Sequence, residues 1–252
     1  MSEETKKPKA SKAAKSRKKD AGKDEKTRGR LRGAIRLAGV ILLVAVLVPL
    51  VLTPLYLVVR PVSTLMLWER VTSGPIERNW VGFEDIAKTL VTSVIVSEDS
   101  HYCEHHGVDW QALGSVIETL DENGRPRGAS TITMQAVKNL YLWQSRSYIR
   151  KAIEIPLAIY ADFIWSKRRQ MEIYLNVVEF GPGIFGAEAA AQHYFGRSAK
   201  ALTETQSALL AATLPSPATR DPAHPSALLR DLARTVAARA RIAGPYIVCL
   251  YP

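Results

Sequence analysis

At 252 residues, 47% of them hydrophobic, the chain is long enough for one sizeable core, and it carries a formal net charge of +10. That charge is concentrated: residues 1–36 hold 14 Lys/Arg against 5 Asp/Glu, which leaves the remaining 216 residues at +1. Composition therefore excludes a basic nucleic-acid-binding body, and the 1–36 tail, with no aromatic and almost no large apolar residue, is expected to be disordered.

Leu37 to Val59 follows, 23 residues without a charge between Arg36 and Arg60. As a helix it spans roughly 34 Å, enough for a hydrocarbon layer of ~30 Å. Pro49 and Pro54 are better tolerated in a spanning helix than in a soluble one. The run is longer than a signal-peptide core, and LTPLYLVVR offers no A-x-A cleavage site. The Lys/Arg excess ahead of it places the N-terminus in the cytoplasm and residues 61–252 across the membrane. Cys103 and Cys249 then lie where disulfides are permitted. Sequence leaves their pairing open, and free, partly buried thiols are the expectation for a domain this large.

Residues 60–80 read as a connector in which Trp68 and Trp80 suit a membrane interface, and residues 81–252 as one domain. Ile86 to Val96 is an apolar run that suits strand or helix. Helical spacing then recurs over Ala112 to Leu120, Thr133 to Leu142, Tyr148 to Lys167 (bent or restarted at Pro156), Arg168 to Val178, Ala187 to Tyr194, Glu204 to Leu214 and Ser226 to Ala243. Asp121 to Pro126 and the glycine-rich Phe180 to Gly186 read as loops. Period-two alternation is nearly absent, so the fold class is mainly α.

Chemistry is densest at Ser97 to Trp110, SEDSHYCEHHGVDW. Glu98 and Asp99 point about 100° apart on a helix and cannot share one reacting atom. Glu98 precedes His105 by seven, one helical face if the helix persists. Apolar neighbours would raise a carboxylate's pKa there, toward that of a general base; a capping or ion-paired acid is the plainer account. His101, Glu104 and His105 also spell H-x-x-E-H, a zinc-peptidase pattern too short to carry the argument. Farther on, Ser130, Thr131, Gln135 and Lys138 open a helix with hydroxyls, an amide and an amine suited to phosphate or sugar oxygens, although Ser and Thr are also ordinary caps. Arg150, Lys151 and Glu154 set two cations and an acid within about one turn, either a surface salt-bridge network or, with Lys138, three charges for an anionic leaving group.

In order and spacing, E-D-x-x-[FY]-x-x-H-x-G at 98–107, G-A-S-T-I-T-x-Q-x-x-K-N at 128–139, R-K-x-x-E at 150–154, K-R-R-Q-M-E-I-Y-L-N at 167–176 and A-L-L-A-A-T-L-P-S-P at 208–217 resemble the peptidoglycan glycosyltransferases, glycosyltransferase family 51. Tyr102 stands where that family usually has Phe, and Met134 where a Gln often precedes the second Gln. The resemblance implies a lysozyme-like α-helical domain behind one N-terminal transmembrane helix, monofunctional and set in the bacterial inner membrane with its catalytic domain periplasmic. It implies polymerisation of lipid II into β-1,4-linked glycan with release of undecaprenyl pyrophosphate. Glu98 would be the general base, and Glu154, Arg150, Lys151 and Lys138 would surround the pyrophosphate. Asp99, Tyr102, His105, Gly107, Ser130, Thr131, Gln135 and Asn139 complete the substrate-binding set it implies. Glu154, being negative, would act through a divalent cation, magnesium or manganese, or by orienting Arg150 and Lys151. Expected partners are lipid II, the growing glycan, the bilayer and other cell-wall synthesis or division proteins, with no nucleic acid. A lysozyme-like peptidoglycan-cleaving enzyme is the alternative.

Overall fold

A computed structural model of the chain describes residues 10–115, 130–144 and 147–251, the side chains of 10–29 excepted. The expected loop at 121–126, the second half of the helix expected over 112–120, and Gly128 and Ala129 lie outside the described residues. Contacts divide the chain into two units, 1–51 and 52–252.

The first unit is the greater part of helix α1 (Ala10–Leu55). Its stretch Arg30–Leu55, 26 residues, is long and apolar enough to cross a membrane, which fits a single-pass anchor. Two expectations are corrected here. The basic tail is helical from Ala10 onward rather than disordered, because after Pro8 it consists largely of Ala, Lys, Arg and Glu, all strong helix formers. At the other end the helix stops at Leu55 instead of running to Val59.

The second unit is mainly helical. Helix α2 (Thr64–Thr72), capped by Ser63, and strand β1 (Glu77–Arg78) occupy what reads in sequence as a connector, so these residues belong to the domain. The guanidinium groups of Arg78 and Arg169 lie 5.2 and 5.5 Å from the Trp80 ring, and Trp68 is exposed. Helix α3 (Lys88–Glu98) settles the strand-or-helix ambiguity. Its β-branched residues favour a strand, but Leu90, Val91, Val94 and Ile95 are all fully buried, so packing on every side overrides propensity.

Residues 110–115 are helical, and helices α4 (Ile132–Tyr141), α5 (Tyr148–Ile164), α6 (Lys167–Val177), α7 (Ala187–Phe195), α8 (Glu204–Thr213) and α9 (Ala227–Arg241) follow in order among the described residues. Side chains of Thr131, Ser147, Ser166, Thr203 and Ser226 cap α4, α5, α6, α8 and α9, each satisfying an otherwise orphaned first-turn N–H. Pro156 lies inside an unbroken α5, which neither restarts nor ends there. The glycine-rich segment after α6 is not a plain loop. It forms strands β2 (Glu179–Gly181) and β3 (Ile184–Phe185), antiparallel, with β1 parallel to β3 in the register Glu77 to Ile184 and Arg78 to Phe185.

Two apolar clusters result. One gathers around α3, α8, α9 and the C-terminal residues, the other around α2, α4, α5 and α6. The last turn of α1 belongs to the second cluster. Trp165 Nε1 donates to the Thr53 carbonyl at 2.7 Å, the Thr53 and Tyr141 hydroxyls meet at 2.9 Å, and Arg169 donates to the carbonyls of Tyr56 and Val59 at 2.9 and 3.0 Å.

Candidate active site

Helix α3 belongs to the first cluster, α5 to the second and α4 to both, and the residues with chemistry meet where these helices approach. Glu98, the last residue of α3, is half-buried. Gln135 Nε2 of α4 donates to its Oε2 at 2.9 Å, and the enclosed Tyr174 hydroxyl of α6 donates to Gln135 Oε1 at 3.1 Å, which fixes the amide's orientation. Burial holds the Glu98 carboxyl above its ordinary pKa, against the opposing pull of the Gln135 bond and then of Lys138. It is a carboxylate of raised basicity with one open side.

The expected Glu98–His105 face does not form, because α3 ends at Glu98 and Asp99 leaves the helix at φ −161°. His105 Nε2 instead meets both oxygens of Asp99, at 2.9 and 3.0 Å, while the Ile132 N–H at the start of α4 donates to Asp99 Oδ2 at 2.9 Å. Asp99 therefore ties the loop after α3 to the helix that carries Gln135 and Lys138. Around it, the Tyr102 hydroxyl donates to the Lys167 carbonyl at 2.7 Å, and Lys167 Nζ donates to the His105 carbonyl at 2.7 Å and pairs with Asp162 at 2.8 Å. The Thr131 hydroxyl donates to the Gly107 carbonyl at 2.7 Å. Gly107 has φ +79°, and a Cβ on it would fall 2.5 Å from the Ala158 carbonyl oxygen.

Tyr102, His105, Gly107 and Thr131, together with Asp99, are thus enclosed. The structure places them behind the site as its frame, not on a surface that a substrate could reach, and Asn139 is likewise buried, against Gln144. The H-x-x-E-H pattern comes apart in the same way: His101 Nδ1 turns to Asp109 at 2.8 Å while His105 turns to Asp99. Among the described residues no group of three His, Cys, Asp or Glu is arranged to hold a metal ion.

Across from Glu98, the first turns of α5 bring the expected cations together. Glu154 is 2% exposed and pairs with both Arg150 and Lys151, the latter at 3.4 Å. Lys151 Nζ also donates to the exposed Ser130 hydroxyl at 2.7 Å and lies 3.9 Å from Met134 Sδ. Burial, followed by the charges of Arg150 and Lys138, lowers the Lys151 pKa to about 8. Lys138 is lowered too, by burial and then Arg150, with Glu98 pulling the other way, so these charges lie within electrostatic reach of one another. Lys138 on α4 thus lies within electrostatic reach of Glu98 on one hand and of Arg150 and Lys151 on the other.

This arrangement is that of the peptidoglycan glycosyltransferase motifs, and comparison with known proteins decides the matter. A family model described as Transglycosylase matches residues 67–241. The chain belongs to the transglycosylase family. It is 53% identical over 212 residues to the biosynthetic peptidoglycan transglycosylase of Brucella suis biovar 1 (strain 1330), covering 83% of this chain and 95% of that one. It is 51% identical over 233 residues to the protein of that name from Rhizobium meliloti (strain 1021), covering 92% and 99%. The enzyme is a peptidoglycan transglycosylase, and hence a glycosyltransferase.

A divalent cation at the transglycosylase's cationic cluster does not fit the residues present. Glu154 is the cluster's own carboxylate, and it is enclosed and engaged by Arg150 and Lys151. Its position suits the other expected role, orienting those two side chains.

Tyr174, Lys167, Asp162 and Gln170 were not assigned roles from sequence, although Tyr174, Lys167 and Gln170 fall inside the 167–176 motif, which was the available signal. Gln170 joins Thr133 to Asp162, accepting at 2.6 Å and donating at 2.9 Å. Removing the Tyr174 hydroxyl would free the Gln135 amide. Tyr174→Phe is expected to cost about 1 kcal/mol of transition-state stabilisation, roughly fivefold in kcat, with little change in KM. Steady-state kinetics of the variant check this.

Proposed function

We propose that the enzyme polymerises lipid II by direct inverting glycosyl transfer. Glu98 takes the proton from the 4-hydroxyl of an acceptor GlcNAc as that oxygen attacks C1 of the donor MurNAc. The bond from C1 to the pyrophosphate oxygen breaks, and undecaprenyl pyrophosphate departs with the electron pair. Lys138, Arg150 and Lys151 neutralise the leaving anion, Glu154 holds Arg150 and Lys151 in place, and Ser130 and Gln135 lie beside the path. The observation that carries this reading is the half-buried Glu98 held by Gln135 of α4, the helix that also bears Lys138, with Arg150 and Lys151 gathered on Glu154 and Lys151 reaching Ser130 just ahead of that helix.

The substrate's polyprenyl tail accounts for the apolar anchor and for the exposed apolar side chains of Leu67, Trp68, Val71, Trp143 and Ile149, which suit a bilayer face. The basic segment ahead of the anchor supports a cytoplasmic N-terminus and a periplasmic domain. A lysozyme-like cleaving enzyme would share the raised Glu98 but leaves the cation cluster without a task.

The test is incubation of the purified full-length protein with labelled lipid II, with and without a chelator, followed by sizing of the products. Polymer formed equally in both arms is expected, whereas shortening of preformed glycan without polymer would favour cleavage.

The pH dependence has a definite sign. The base must be unprotonated and the Lys151 amine protonated, so kcat/KM rises as pH climbs through the raised Glu98 pKa and falls as it passes about 8. Lys151→Arg is expected to push the alkaline limb upward. An alkaline limb that stays in place in that variant would remove Lys151 from this role.

A further inference from the structure

The protein has two cysteines, one five residues past Glu98 and the other near the C-terminus, and they are joined: Cys103 and Cys249 form a disulfide, with Cα atoms 5.5 Å apart across 146 residues of sequence. This corrects the expectation of free thiols, because the fold brings the C-terminal segment back along α3. Near the start of α3, the Tyr251 ring meets Phe83 at 5.5 Å and lies beneath Lys88 Nζ at 4.7 Å. Along the helix, Ile247 and Leu250 are buried in the cluster that α3 organises. Past its end, Cys249 is bonded to the loop that follows Glu98, and the Cys249 N–H donates to Cys103 Sγ at 3.3 Å.

We propose that the Cys103–Cys249 bond is a positioning element for glycosyl transfer, locking residues 244–251 as a brace along α3 that keeps Glu98 in register with Gln135. The proposal rests on the reading of Glu98 as the base. Toward α4 and α6 the 99–107 loop is already held, by Asp99 to Ile132 and by Tyr102 to Lys167. On the side of the C-terminal segment Cys103 is its covalent hold. Residues 244–251 form only a short 3-10 turn, with too little regular structure of their own to hold them in place once their tie is cut. Fraying would admit water along α3 and remove part of the burial that raises the Glu98 pKa.

The bond also makes the site redox-sensitive. A dithiol reductant attacks one sulfur to form a mixed disulfide, then closes to its own disulfide, leaving Cys103 and Cys249 as two thiols. With two cysteines in the chain, the reductant has a single target.

The experiment compares the full-length wild type, oxidised and dithiol-reduced, with a Cys103→Ser/Cys249→Ser double variant, using labelled lipid II. Reduction is expected to lower kcat by about tenfold with KM nearly unchanged, to move the acid limb of the pH profile downward, and to be reversed by reoxidation. The double variant should match the reduced wild type and ignore the reductant. Unchanged kcat and acid limb in protein with two titratable thiols, a loss that merely follows global unfolding, or a gain of activity on reduction would each overturn the brace. An oxidised wild type that makes no polymer would count against the polymerase reading instead. The brace is then read by amide hydrogen exchange over residues 99–107, where faster exchange on reduction supports it and unchanged exchange overturns it.

Discussion

Glu98→Gln is expected to lower polymerisation of labelled lipid II by roughly 10²–10⁴-fold, the range associated with loss of a general base. The substitution keeps the side chain's shape and a partner for the Gln135 amide, so what it removes is the ability to take a proton. It also replaces a half-buried carboxylate, whose charged form burial disfavours, with a neutral group. The melting temperature should therefore hold or rise while turnover collapses, a combination that a merely structural glutamate would not give. Glu104→Gln is the matched control. Glu104 is exposed and its partners in the H-x-x-E-H pattern point elsewhere, so that variant should retain wild-type turnover. Normal polymer from Glu98→Gln would remove Glu98 from the proposed role.

Gly107→Ala is expected to be the most damaging small substitution for the fold. The positive φ at Gly107 costs a non-glycine residue about 1–3 kcal/mol. The added methyl also meets backbone, the Ala158 carbonyl oxygen at 2.5 Å, which cannot swing aside as a side chain would. Overpacking of this kind costs a further 1–3 kcal/mol or so. A total loss of about 3 kcal/mol in denaturant unfolding is the expectation, accompanied by reduced activity, because Ala158 lies one turn beyond Glu154 on α5. Unaltered stability would mean that α5 can withdraw from the loop, contrary to the close approach described above.

Gly107 illustrates how sequence and structure divided the work. The motif marked the residue, but as one of a substrate-binding set, and only coordinates distinguish a glycine that touches ligand from one that lets two backbones meet. The same holds for Asp99, Tyr102, His105 and Thr131. Their partners, Ile132, Lys167, Asp99 and Gly107, are brought to them by the path of the chain, which no spacing rule encodes. Where a local rule decides, sequence is sufficient: the capping hydroxyl at Thr131 and the helical spacing of α4 and α6 are readable directly. Where tertiary packing decides, it is not. The β-branched α3, the unbroken passage of α5 through Pro156 and the small sheet around Gly181 to Gly186 all run against local preference. The disulfide went unseen for the same reason, since pairing across 146 residues depends on a distance that composition does not contain.

The last turn of α1 bears on how the enzyme could be shortened for study in solution. Cutting where hydrophobicity ends, at Val59 or Arg60, would leave Tyr141 without its hydroxyl partner, Trp165 Nε1 without an acceptor, and Arg169 without two of its carbonyls. Tyr141 closes the helix that carries Gln135 and Lys138, so the damage would start within a turn of Lys138 and less than two turns from Gln135. A truncation that respects the fold has to begin ahead of Leu52, retaining a greasy stub as part of the globule. Solubility would then have to come from detergent or from surface substitutions on that stub rather than from a cleaner cut.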